Sequence, residues 1–279
     1  MIEDKAHSPI CSAKCLVHCG NLWTFELRYP RYIHSEFMTH RMFSRNASSS
    51  RAIPVGRVIE QVENDPVIPP KVYLNQKGMV GEVRASQEDT REFRDLWLEA
   101  AENAVGVARA MQELGIHKQH INRILEPFQY IKVIVTATEW SNFFILRLAP
   151  DAQPEMRELA ECIYEEMYKN SLDEKGFITT TDGRFVTLPY VTPEDIQKIG
   201  KDDPFKLMKI SAARCARVSY NNHDGSAPDI EKDLKLFEKL KNSQHASPLE
   251  HTCMSCEDTE IQFFANLYGW KSLRYIYHL

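Results

Sequence analysis

The chain has 279 residues, 43% of them hydrophobic and 26% charged, with a formal net charge of −5. That length carries one large domain or two small ones with a substantial core, and the acidic balance speaks against a general nucleic-acid binder, which carries a basic surplus. No apolar run reaches the roughly 20 residues of a membrane span, and residues 1–14 hold acids and no apolar stretch of the kind a secretory signal needs, so a cytoplasmic protein is expected.

Near the start, Cys11, Cys15 and Cys19 recur every four residues, a spacing that stacks side chains on one helical face. The count of seven cysteines is odd, and Cys253 with Cys256 is a close pair without a second to complete a zinc tetrahedron; free thiols and no metal are expected. Residues 22–29 alternate as a strand. From Pro30 to about His40 the pattern is helical, with Ile33, Phe37 and Met38 on one side. Residues 41–56, rich in Ser, Asn, Ala and Arg, read as a shaped loop, and residues 57–83, with Pro66, Pro69, Pro70, Gly78 and Gly81, as mostly irregular. A long helix is expected after Ser86, whose pairing with Asp89 forms a capping signature. Phe93, Leu96, Trp97, Ala100, Ala104, Val107, Ala108, Met111 and Leu114 keep a period near 3.6 up to a stop at Gly115.

Residues 129–138 read as a buried strand, 139–147 as a helix carrying Trp140, Phe143, Phe144 and Leu146, and a further helix begins near Pro154 with Met156, Leu159, Ile163 and Met167. Residues 171–205 read as a connection. A helix is expected over 229–241, followed by a Pro-containing turn at 245–251 and then a strand or loop. The expected fold is α+β (α/β): a central mixed sheet flanked by helices, with one long helical segment, in a single domain over 1–279. Its parts would be a core over 1–170, the connection over 171–205, and 206–279 completing the core.

The chemistry concentrates in residues 39–51. Arg41, Arg45 and Arg51 supply three cations, and Thr39, Ser44, Ser48, Ser49, Ser50 and Asn46 supply hydroxyls and an amide. Guanidinium forks, hydroxyls and backbone N–H groups are what a phosphate requires. By composition alone the same stretch also suits a solvated polar loop.

Order decides between the two. His40, Arg41, Ser44, Asn46, Ser49 and Arg51 stand in the register of a motif that resembles the diagnostic loop of the flavin-dependent thymidylate synthases, which follows a strand, a proline and a helix, as Thr24, Phe25, Pro30 and Glu36 do here. A second block, Asn142-Phe143-Phe144, Leu146-Arg147, then Ala152-Gln153 and Glu155-Met156-Arg157, is similar to another stretch of that family, and Arg123 resembles the arginine before its Leu-Pro. A third block, Ala216-Arg217-Val218-Ser219-Tyr220 with His245 through His251, resembles elements that the family places before the loop motif, and Gly269-Trp270 with Arg274 resembles the segment after them. The parts would be joined here in permuted order, which need not alter a site defined by geometry.

The resemblance implies an enzyme that binds FAD and dUMP, uses NADPH and methylenetetrahydrofolate, and assembles as a homotetramer with active sites between subunits. It implies that Ser49, Arg51 and Arg123 hold the phosphate of dUMP and that Arg147 polarises the uracil, Arg147 and Ser49 being the catalytic pair. Glu36 stands where a glutamine often helps bind the nucleotide. His40, Arg41, Ser44, Asn46 and Asn142 would contact FAD, with Ser219, His251 and Cys253 lining the flavin site. Four features depart from the pattern: Thr39 for an arginine, Ala47 for an acid, Glu36 itself, and Thr136 with Thr138 where an asparagine and an arginine often grip the flavin. They motivate two alternatives: a relative that makes 5-hydroxymethyl-dUMP for DNA modification, and a non-catalytic nucleotide- or nucleic-acid-binding relative in which Arg41, Arg45 and Arg51 are phosphate contacts with strong salt dependence.

Overall fold

A hairpin opens the fold. In a computed structural model that describes residues 9–78, 81–218, 226–257 and 261–279, β1 (Ser12–Cys19) and β2 (Leu22–Pro30) pair antiparallel across Gly20 and Asn21. Gly20 takes a φ of +56°, which the tight turn needs and a residue without Cβ adopts at little cost. The cysteine spacing read as helical belongs instead to this strand region. A register shift between Cys15 and Val17 breaks the alternation, so Cys11 and Cys15 join the core around Phe25 while Cys19 joins Val17 and Leu22, and all three cysteines are buried.

After a 3-10 turn at Arg31–Ile33, a single helical turn, α1 (His34–Phe37), replaces the longer helix expected up to residue 40. β3 (Ser44–Ala47) then runs through the middle of the loop motif, where no strand was expected. The stretch taken as irregular from residue 57 begins with a helix, α2 (Val55–Asn64), whose Val55, Val58, Ile59 and Val62 are buried at helical spacing. α3 (Gln87–Glu113) meets its sequence signals: Ser86 accepts from the Asp89 N–H, and Gly115 closes the helix at φ +72° with Ile116 N–H bonded to Met111 O. α4 (Lys118–Ile124), β4 (Tyr130–Ala137), α5 (Ser141–Arg147) and α6 (Pro154–Lys169) follow.

The first sheet has the order β1-β2-β4-β3. The fold is α+β, but the sheet is antiparallel where a mixed one was expected. β4 inserts between β2 and β3 and runs against both, so every described neighbour pair alternates in direction. Trp23, Phe25, Leu27 and Tyr29 from β2, with Val133 and Val135 from β4, bury one face against Phe37, Phe143, Met156, Leu159 and Ile163. α6 also satisfies the open edge of the sheet, its Glu158 and Glu166 accepting from the N–H groups of Cys11 and Cys15 at 2.9 and 3.1 Å.

The stretch 171–205, read as a connection, carries β5 (Phe177–Thr179), β6 (Phe185–Thr187) and α7 (Pro193–Ile199). α8 (Pro204–Arg217) and α9 (Ile230–Asn242) follow. The last elements are β7 (Cys253–Ser255), β8 (Phe263–Phe264), β9 (Leu267–Tyr268), β10 (Trp270–Ser272) and α10 (Leu273–Ile276). A second antiparallel sheet, β10-β7-β6-β5, packs with α8 and α9 around Leu207, Met208, Phe237 and Leu249. Four buried charges tie α7, α8 and α9 together. Arg214 donates to Asp233 at 2.9 Å and to Asp195 at 3.1 Å, and Arg217 donates to Asp233 at 2.6 Å.

The end of α8 lies on the second face of the first sheet, where Cys215 and Val218 cover Ile134. Among the described residues no helix is long and apolar enough to cross a membrane.

Candidate functional site

α1 is too short to satisfy its own C-terminal carbonyls. Arg45, from β3, does so: its Nη1 donates to the carbonyls of Met38 and His40, both at 2.8 Å, and more weakly to Phe37 at 3.4 Å. A cation at a helix C-terminus is also favoured by the peptide dipoles. Arg45 therefore shapes the turn, one of the three cations that the loop sequence offered to a phosphate.

This turn presents His40. Its ring stands edge-on to Phe143, with centroids 4.9 Å apart, and near Phe43 at 5.9 Å. Its Nε2 accepts from the Nε–H of Arg147 at 2.9 Å, which places the proton of the neutral ring on Nδ1. Burial, then the charges of Arg147 and Arg45, lower its pKa to about 4, so the ring is neutral at neutral pH. Arg147, the last residue of α5, also pairs through Nη1 with Glu36 of α1. The carboxylate that would repel a phosphate if unpaired is thus neutralised by the guanidinium beside it.

The trio divides two cavities. One, of about 380 Å³, is lined by His40, Arg41, Phe43, Asn142, Phe143 and Arg147. The other, of about 740 Å³, is bounded by Glu36, Lys71, Tyr73, Arg147, Gln153 and Glu155. Of the residues singled out from sequence, His40, Arg41, Asn142, Arg147 and Glu36 are brought together here.

Ser49, Arg51 and Arg123 are not part of this group. All three are exposed and line neither cavity. Their loop is held on α4, where Asn122 donates to the carbonyls of Ser50 and Ile53 at 2.7 and 3.1 Å and Lys118 donates to that of Ala52 at 3.0 Å. β3, which alone spans roughly 10 Å, separates them from His40.

A third set faces inward. Ser44 exchanges hydrogen bonds with Asn266 at 3.0–3.3 Å, and Asn46 donates to Cys215 O at 2.9 Å and accepts from Ser247 at 3.0 Å. His251 is fully buried. Its Nδ1 bonds Thr136 Oγ1 at 2.9 Å, which bonds Thr24 Oγ1 at 2.8 Å, while Nε2 has no partner among the described residues. Burial lowers the pKa of His251 to about 3. Cys253 is buried as well, and burial pushes its thiol far up. Ser219 lies outside the described residues. Sequence reading missed the Arg45 clamp and the role of Asn266, which also donates to Met42 O at 3.1 Å; neither contact has a spacing signal, since Asn266 acts across more than 220 positions.

The profile of a family described as thymidylate synthase complementing protein matches residues 21–171, more than half of the chain. The chain belongs to that family. The matched span includes Glu36, the loop motif, Arg123, Asn142 and Arg147, and stops short of Ser219 and His251. No curated protein sequence matches. Among solved structures, the chain is similar to the UMP/dUMP methylase PolB from Streptomyces cacaoi bound with 5-Br UMP, at 22% identity and a TM-score of 0.45 over 53% of this chain and 68% of that one. It is similar also to Thymidylate Synthase X from Helicobacter pylori with FAD and dUMP, at 18% identity and a TM-score of 0.36 over 52% of this chain and 66% of that one.

Proposed function

We propose that the protein is a flavin-dependent thymidylate synthase: it binds dUMP and FAD and, with methylenetetrahydrofolate and NADPH, converts dUMP to dTMP by reductive methylation at C5. The observation that carries this reading is the Glu36–Arg147–His40 assembly, with His40 and Arg147 lining one cavity and Glu36 and Arg147 the other. A uracil ring offers carbonyl acceptors flanking an N3–H donor. Arg147 supplies N–H donors for a carbonyl and Glu36 an acceptor for N3–H, a complementary edge. Withdrawing electron density through the carbonyl is what Arg147 contributes to chemistry at C5.

Cys215 and Cys253 are buried, and burial holds both thiols protonated. In the proposed reaction bound FAD would supply the hydride. The residues fit a flavin in part: Arg41 and Asn142 offer donors beside the aromatic walls of Phe43 and Phe143. The loop departures are also compatible with it. The Thr39 hydroxyl donates to Glu36 O at 2.7 Å, and Ala47 packs on the aromatic core, where an acid would be poorly solvated.

The separation of Ser49, Arg51 and Arg123 from Arg147 within one chain supports a site completed by a second copy, as a homotetramer with shared sites would provide. In that arrangement Ser49 and the two arginines of one copy hold the dUMP phosphate while Arg147 of another orients the ring. Ser44, Asn46 and His251 would act through the internal contacts they make. The test is release of tritium from dUMP labelled at C5, with FAD, NADPH and methylenetetrahydrofolate present. Release that disappears in Arg147→Ala supports the reading; intact label in the unmodified protein refutes it.

A further inference from the structure

The cavity on the Glu36 side of Arg147 has a wall from a part of the chain that the site has not used so far. After α2, Val67 ties the chain to the body: its N–H donates to Phe128 O at 3.0 Å and its carbonyl accepts from Trp97 Nε1 at 2.7 Å. Pro69 and Pro70 then restrict the backbone. Residues 72–74 and 83–85 pair antiparallel, with Leu74 N–H on Val83 O at 2.9 Å and Ala85 N–H on Val72 O at 3.1 Å. Tyr73 and Gly81 from this hairpin, with Lys71 just before it, complete the cavity of about 740 Å³ that Glu36 and Arg147 bound.

Gly81 leaves no room for a side chain. A Cβ there would collide with the Cβ of Tyr73 and come within 2.6 Å of its Cγ. Gly81 is not held at a left-handed φ, so what the glycine supplies is space for Tyr73 to lie against the opposite arm of its own hairpin. The half-buried tyrosine is thereby held at the cavity wall.

The charges say what the cavity accepts. Its acids are Glu36, Asp151 and Glu155, and its cations are Lys71 and Arg147. Glu36 pairs with Arg147, and Glu155 accepts from the Tyr32 hydroxyl at 3.3 Å. Without a surplus of cations the cavity does not favour a phosphate, but it suits an uncharged polar ring. Glu36 and Arg147 meet such a ring at its edge, and Tyr73 offers it a face.

We propose that Tyr73 is a further substrate-binding residue, stacking on the pyrimidine whose edge Glu36 and Arg147 read, and that Gly81 is a positioning residue acting through Tyr73. The proposal rests on the dUMP reading above and adds a face contact from residues outside the loop motif. Stacking uses every ring's π-face, so Tyr73 contributes affinity while the edge contacts select the base.

The test measures dUMP binding to the full-length protein with FAD present, by titration calorimetry, with circular dichroism to confirm that each variant is folded. Tyr73→Ala should weaken dUMP roughly tenfold or more, the loss of one stacked ring, and Tyr73→Phe should bind as the unmodified protein does. Gly81→Ala should also weaken dUMP. Adding Gly81→Ala to Tyr73→Ala should cost nothing further, because the glycine acts only through the ring; independent structural effects would add. In the tritium-release assay Tyr73→Ala should raise KM for dUMP by about the factor lost in binding and change kcat less. If Tyr73→Ala binds dUMP as tightly as the unmodified protein, or if Tyr73→Phe loses as much as Tyr73→Ala, the stacking role is overturned and the dUMP reading stands. If the unmodified protein does not bind dUMP, that reading falls and this proposal falls with it.

Discussion

Replacing Asp233 with asparagine should be among the most damaging single changes in the chain. Asp233 is fully buried and accepts from both Arg214 and Arg217, whose side chains are 0% and 6% exposed. Asparagine keeps the volume but removes the charge. Arg214 retains Asp195 and the Tyr190 carbonyl, whereas Arg217 is left with no ionic partner among the described residues. Breaking a buried pair by removing one partner costs about 3–5 kcal/mol, a large share of the roughly 5–15 kcal/mol that holds a domain together. At roughly 2–4 °C per kcal/mol for a chain of this size, the melting temperature should fall by about 6–20 °C. Circular dichroism melts with urea titrations at neutral pH measure this, with Glu63→Gln as control. Glu63 pairs with Arg109 at 2.6 Å, but both side chains are about half exposed, so its loss should cost no more than about 1 kcal/mol. If Asp233→Asn costs as little as the control, the four charges are not held as a desolvated network, and the account of how α7, α8 and α9 are fixed is wrong.

Three further outcomes are expected. His34, His40 and His251 have pKa values lowered from 6.5 to about 4, 4 and 3, burial being the first cause in each. The unfolded chain takes up protons that the folded chain refuses, so stability should be full above pH 6.5 and decline as pH falls from there toward 4. His251→Asn should flatten that slope by up to one proton, and an unchanged slope would contradict the burial of a neutral ring. Arg147→Lys should reduce kcat/KM for dUMP by roughly 100-fold despite keeping the charge, because a lysine cannot hold His40 and Glu36 with a planar fork; a near-normal lysine variant would remove Arg147 from its assigned role. Mixing inactive Arg51→Ala and Arg147→Ala proteins should restore activity if each site draws on two copies, and no restoration on mixing and re-equilibration would argue for a site within one chain.

What the sequence made legible follows from the range of the forces involved. α3 was readable at both ends because Ser86 and Gly115 act on backbone groups three to five residues away. β2, β4, α6 and α9 were readable from periodicity. β1 was misread because a spacing of four suits a helix and the register shift between Cys15 and Val17 hides the strand alternation. α2 was missed although Val55, Val58, Ile59 and Val62 carry a helical pattern, because the prolines and glycines that follow it dominated the reading. At the site, the loop motif gave His40 and Arg41 as candidates, and the block from Asn142 to Arg157 gave Arg147. Neither gave any indication that Arg147 pairs with Glu36 across 111 positions or that Arg45 closes the turn beneath His40. Those contacts depend on how α1 meets α5 and β3, and no residue spacing signals that. Likewise, nothing in the spacing separates Ser49, Arg51 and Arg123 from Arg147; only the strand between them does.

The most direct test of the proposed function is the mass of the nucleotide recovered after the purified protein is incubated with dUMP, FAD, NADPH and methylenetetrahydrofolate. The account predicts the gain of a methyl group, dependent on FAD and lost in Arg147→Ala. A hydroxymethyl product would contradict the reductive step, and dUMP recovered unchanged beside an active control enzyme would contradict the assignment of this site to dUMP.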